Sequence, residues 1–100
     1  MKWPGQRPSN AVNQAVTFPN LSRSYDATRR SVHFWGYDRS MESSFFVTWD
    51  ALKHIQPNLQ PDELGLLRAF DSNRNLICEI AAKVYARGRR GAYNLIAADF

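Results

Sequence analysis

The 100-residue chain is short of almost everything from which catalytic and metal sites are built. It has a single cysteine, Cys78, so no disulfide can close within it, and such usage fits a reducing compartment. Its two histidines, His33 and His54, form neither a His-x-x-x-His nor any Cys-x-x-Cys pattern, which removes the usual zinc ligand sets. Five glycines are scattered along the chain, and none makes a phosphate-cradling loop between a strand and a helix. No stretch approaches the roughly 18 consecutive apolar residues of a membrane span. After Met1-Lys2 the sequence WPGQRPSN has no apolar segment of the kind that opens a secretion signal. These absences lead us to expect a cytoplasmic protein with no metal, no cofactor, no membrane association and no enzymatic activity.

What is present belongs to an ordinary globular domain: 44% hydrophobic and 22% charged residues, with a mild net charge of +4. Residues 1–14, MKWPGQRPSNAVNQ, show neither helical nor strand periodicity and read as a flexible tail, leaving 15–100 as one domain. Ala15-Val16-Thr17-Phe18 reads as a short strand stopped by Pro19-Asn20. Residues 20–29 read as a loop, with Asp26 placed to accept backbone amides two or three residues on. The aromatic residues then concentrate in Arg30–Trp49, RSVHFWGYDRSMESSFFVTW, a β-hairpin with Val32, Phe34 and Gly36 on one face and His33, Trp35 and Tyr37 on the other. A two-residue loop at Asp38-Arg39 sets Val32 opposite Phe45 and Trp35 opposite Glu42. A three-residue loop sets them opposite Phe46 and Ser43, and both registers stay open at this stage.

Thr48 is an N-cap for a short helix with Leu52 and Ile55 inward, ended by Pro57-Asn58. Gln60-Pro61-Asp62-Glu63 opens a second helical region, with proline in its first turn and acids at its positive end. An apolar stripe follows through Leu66, Phe70, Ile77, Ile80, Ala81 and Val84, weakened at Asp71-Ser72-Asn73. We expect either two helices, the later one capped by Asp71, or one kinked helix. Gly88 stops the last turn and Tyr93–Ala98 reads as a final strand. The layout is α+β: a small antiparallel or mixed sheet of three to four strands, with two to three helices packed on one face.

From about Val16 to Phe100 the chain resembles a small bacterial family, domain of unknown function 1488. The likeness is carried by VTFPN at Val16–Asn20, SRSYDATRRSVHFWGYD at Ser22–Asp38, FFV at Phe45–Val47 and AL at Ala51-Leu52. It continues with AFDSNR at Ala69–Arg74, VYARG at Val84–Gly88 and YNLIAADF at Tyr93–Phe100. The resemblance implies an α+β fold and a bacterial cytoplasmic origin. It brings no catalytic residue, cofactor or substrate with it.

Candidate sites therefore have to come from the residues. Cys78 with His33 or His54 has the composition of a thiol–imidazole pair, but its place beside Ile77 in an apolar helical stripe is that of a small buried hydrophobe. Asp26, Asp38, Asp71 and Asp99 have plain roles in turns and caps. The aromatic hairpin offers Trp35 and Tyr37 as a partner-binding patch, while Phe34, Phe45 and Phe46 read as core. The leading expectation is a non-enzymatic interaction domain that contacts a protein partner, or a second copy of itself as a homodimer, through this hairpin. The alternative is weak, sequence-tolerant nucleic-acid binding through Lys83, Arg87, Arg89 and Arg90, with Arg29-Arg30 nearby; no acid lies between Glu79 and Asp99.

Overall fold

The hairpin dominates the architecture. In the computed structural model, which describes residues 15–100, it comprises β2 (Ser31–Asp38) and β3 (Met41–Thr48), preceded by β1 (Arg23–Asp26). Three helices follow, α1 (Trp49–Ile55), α2 (Glu63–Ser72) and α3 (Arg74–Ala86), then β4 (Ala92–Leu95) and a terminal 3-10 turn at Ala97–Asp99. The sheet order is β1-β2-β3-β4, antiparallel except for the β3–β4 pair. A parallel neighbour needs a long crossover, and the three helices supply it. This is the expected α+β class, a four-stranded mixed sheet with helices on one face.

The strand period explains the layering. Val32, Phe34, Phe45, Val47, Tyr93 and Leu95 all project to one face and share a core with Ala51, Leu52, Leu66, Ala69, Phe70, Ile77, Ala81 and Val84. Phe34 packs 5.0 Å from Phe70 between ring centroids, and Phe45 stacks on Tyr93 at 4.9 Å. Local chemistry sets the helix ends. Thr48 accepts from the Ala51 amide at 3.2 Å and Asp62 from the Gly65 amide at 2.7 Å, each satisfying a first-turn donor. Gly88, at φ 152°, ends α3 where a side chain would be strained.

Several boundaries differ from the sequence reading. Both registers are corrected: the loop is Arg39-Ser40, so Val32 faces Val47, Phe34 faces Phe45 and Trp35 faces Ser44. The strand continues through Asp38, which pairs with Met41 and shifts the turn on. The first strand is Arg23–Asp26, inside the expected loop. Ala15–Phe18 contributes only a bridge, in which the amides of Thr17 and Tyr37 exchange hydrogen bonds at 2.9 and 2.8 Å. Asp62 is the N-cap of α2, which leaves the preceding proline outside its first turn, and Asn73 rather than Asp71 marks the break before α3. Asp71 is drawn away by Arg23, whose Nε and Nη2 donate to its two oxygens at 3.0 and 2.8 Å. The last strand stops at Leu95 because Asp99 turns back to accept the Ile96 amide at 2.9 Å. The expected tail at 1–14 lies outside the described residues.

Candidate functional site

The sheet face turned away from the helices carries a line of stacked side chains. His33 and Phe46 are cross-strand partners, and their rings stack at 4.3 Å and 20°. Trp35, two residues along β2, tilts onto the other side of His33 at 4.3 Å. The Arg29 guanidinium, from the β1–β2 turn, lies 4.2 Å above the Phe46 ring and closes that end. The order is Arg29, Phe46, His33, Trp35. The far side of the Trp35 ring has no aromatic or cationic neighbour among the described residues. Further along, the Tyr37 hydroxyl donates to Glu42 at 2.7 Å, and this carboxylate raises the tyrosine pKa.

Phe46 is buried, as expected of a core residue, but on the other face of the sheet from Phe34 and Phe45. It is 5% exposed yet belongs to the outer line and not to the helix-side core, because adjacent strand residues point to opposite faces. Trp35 and Tyr37 share its face and are half-buried. Val16 and Phe18 do not cover them; Phe18 packs on the helix side, 5.3 Å from Phe45. The His33 Nε2 is buried with no hydrogen-bond partner. Burial, and to a smaller degree Arg29, pushes its pKa down against the opposing influence of Asp26 and Glu42.

The fold divides the basic cluster. Lys83 is exposed in the last turn of α3, and Arg87 pairs with Asp99 at 3.2 Å. The Arg90 amide donates to the Tyr93 hydroxyl at 3.0 Å. Arg89 lines an open cleft of about 340 Å³ with Asp38, Arg39, Ser40 and Met41 at the hairpin tip. Sequence reasoning missed Arg39 here, since only the fold brings the turn beside the α3–β4 connection. No acid of the described residues forms an ion pair with Arg39 or Arg89. Of the other two basic residues, Arg29 covers Phe46 and Arg30 lies 5.3 Å from the Trp49 ring.

The remaining candidates fall into structural roles. Cys78 is half-buried on α3, with burial raising its pKa against Arg74, and neither histidine acts on it. Asp26 accepts the Arg29 amide at 3.0 Å, which lowers its pKa, Asp38 accepts from Tyr85, and Asp71 and Asp99 hold the contacts already given. Among the described residues no three His, Cys, Asp or Glu side chains converge on a metal-sized site. No described helix is long and apolar enough to cross a membrane.

Residues 16–96 match the family described as protein of unknown function, DUF1488. The chain belongs to this family. A solved structure with the same arrangement is a DUF1488 protein of unknown function from Shewanella loihica, 19% identical, with a TM-score of 0.72. The match covers 82% of this chain and 92% of that one, and at this identity it speaks for the fold alone. A search of curated proteins finds no match. The DUF1488 fold thus has a neighbour in a solved bacterial protein, and the stacked line and the basic cleft are features of this chain's own residues.

Proposed function

We propose that this DUF1488 domain works in the cytoplasm as a binding module and not as an enzyme, meeting a protein surface through the outer sheet face at Trp35 and Tyr37. The observation that carries the reading is the stacked line Arg29–Phe46–His33–Trp35, closed by a cation at one end and, among the described residues, without an aromatic or cationic neighbour beyond the half-buried indole. A ring surface of this kind offers a partner about 0.5–1.5 kcal/mol of aromatic pairing beyond burial. The charged groups that act on His33 are Asp26, Glu42 and Arg29, two acids against one base, which suits a protein better than a phosphate backbone. The single cysteine supports a reducing compartment. Acrylamide quenching of a Trp3→Phe, Trp49→Phe variant tests the reading on Trp35 alone. Ready quenching is expected, and an indole fully shielded in the isolated chain would end the proposal.

A second reading draws on the hairpin tip, where Arg39 and Arg89 share a cleft and form no ion pair among the described residues. These two, in the basic stretch that also holds Lys83, Arg87 and Arg90, offer cations to the phosphates of single-stranded nucleic acid. Fluorescence anisotropy with single-stranded oligonucleotides decides it. Affinity should fall steeply with salt and collapse in an Arg87, Arg89, Arg90 triple alanine variant. No binding at low salt removes it.

A further inference from the structure

The outer face is self-complementary in its arrangement of charge. Beyond Ser31–Thr48, its cross-strand pairs are His33–Phe46, Trp35–Ser44 and Tyr37–Glu42, each two residues from the next, or about 7 Å along the strands. Arg29 caps the first pair and Glu42 belongs to the third, so a cation and an anion stand on opposite sides of the Trp35–Ser44 level. Both are accessible: the Arg29 side chain is 53% exposed despite its contact with Asp26, and Glu42 is exposed beside Tyr37. Ser44, opposite Trp35, is small and leaves room beside the indole.

We infer that the occupant of this face is a second copy of the chain, an inference that rests on the reading of the face as a protein-binding surface. A two-fold axis lying between two such faces, perpendicular to the strands at the Trp35–Ser44 level, reverses the strand direction and keeps the central level in place. It sets Trp35 against the Trp35 of the second copy. The same operation lays Glu42 of each copy over the Arg29 end of the other, so the ionic contact is made twice. An interface of this kind is isologous, with one patch serving both sides, and has the aromatic centre and charged margin of protein contacts. The face holds Asp26 and Glu42 as well as Arg29, so charge alone does not drive association; the pairing of ends fixes its direction.

The test is a charge exchange read by sedimentation velocity and light scattering across a concentration series. Wild type is expected to dimerise. Glu42→Arg and Arg29→Glu each set like charges together and should weaken the dimer at least about tenfold. Mixing the two variants restores both opposite-charge contacts, and the mixed dimer should recover. Circular dichroism checks that each variant is folded. Should Arg29→Glu fail to fold beside Asp26, Trp35→Ala must give the monomer instead. A dimer indifferent to Glu42→Arg and Trp35→Ala uses another surface and overturns the inference. A wild-type monomer at every concentration also overturns it, and Trp35 quenching then separates the readings. A quenchable indole leaves a different protein as occupant, and a shielded one removes the binding surface as well.

Discussion

The Tyr85 hydroxyl donates to Oδ2 of Asp38 at 2.7 Å, joining α3 to the far end of β2 across 47 residues of sequence. Tyr85 is 8% exposed, so its ring is packed while its oxygen reaches a carboxylate. Removing the hydroxyl in Tyr85→Phe keeps the ring contacts at 5.2 Å to Tyr93 and 6.3 Å to Phe45. The cost should therefore be that of one hydrogen bond to a charged group, about 1–2 kcal/mol by chemical denaturation. The same bond raises the Tyr85 pKa above the usual value of 10.0, with burial adding to it. A group whose folded pKa is raised contributes stability below its unfolded pKa and loses it as pH climbs through the folded value. Stability should decline above about pH 10 in wild type, and less steeply in Tyr85→Phe.

Arg39 sits at φ 60°, first of the two residues in the β2–β3 loop. Two-residue hairpin turns with a positive φ at that place favour glycine, since any Cβ is crowded there. Arg39→Gly should raise the unfolding free energy by about 0.5–1 kcal/mol, read as a higher denaturation midpoint with an unchanged slope. If Arg39 contacts phosphate, the same variant should bind oligonucleotides less well while being more stable. A loss of stability would mean that the arginine makes contacts outweighing its backbone strain.

Much of this was legible because its causes are local. The alternation at 31–37 places His33, Trp35 and Tyr37 on one face, Thr48 announces a cap, and Gly88 a helix end. The same alternation sets Phe46 on the face opposite Phe45, a signal that a reading of all three phenylalanines as one core overlooks. What escaped the sequence depends on partners distant in the chain. The polar strand Arg23–Asp26 sits against β2, with Arg23 gripping Asp71, 48 residues away. The Arg39–Arg89 cleft exists only once β3 and β4 lie side by side. The hairpin register turned on one residue of loop placement, which composition does not encode.

His33 makes the outer line acid-sensitive. Its folded pKa lies below the ordinary value of 6.5, chiefly through burial, and its Nε2 has no acceptor for an added proton. The unfolded chain takes up that proton first. Stability is thus complete above the unfolded pKa and is lost as pH falls through the folded one. Unfolding midpoints should drop as pH falls below the ordinary histidine value of 6.5, and His33→Phe should flatten this dependence while keeping the stack. An equal drop in His33→Phe would assign the effect to other groups.

Gly36 marks where residues 16–18 close the helix-side core. A Cβ there would stand 2.7 Å from Phe18 Cε2, 2.7 Å from Val16 Cγ2 and 2.9 Å from Phe45 Cε1. Phe45 and Val16 are fully buried, so they have little room to yield. Gly36→Ala should cost about 1–3 kcal/mol, the usual range for overpacking a filled core. Part of that cost should appear locally, because the cheapest relief is to lift Val16 and Phe18 and break the Thr17–Tyr37 bridge. Amide exchange at Thr17 and Tyr37 should then quicken more than at Phe34 or Phe45, whose amides lie within the paired strands. Uniform acceleration across β2 and β3 would instead show that the strain is taken up by the hairpin itself.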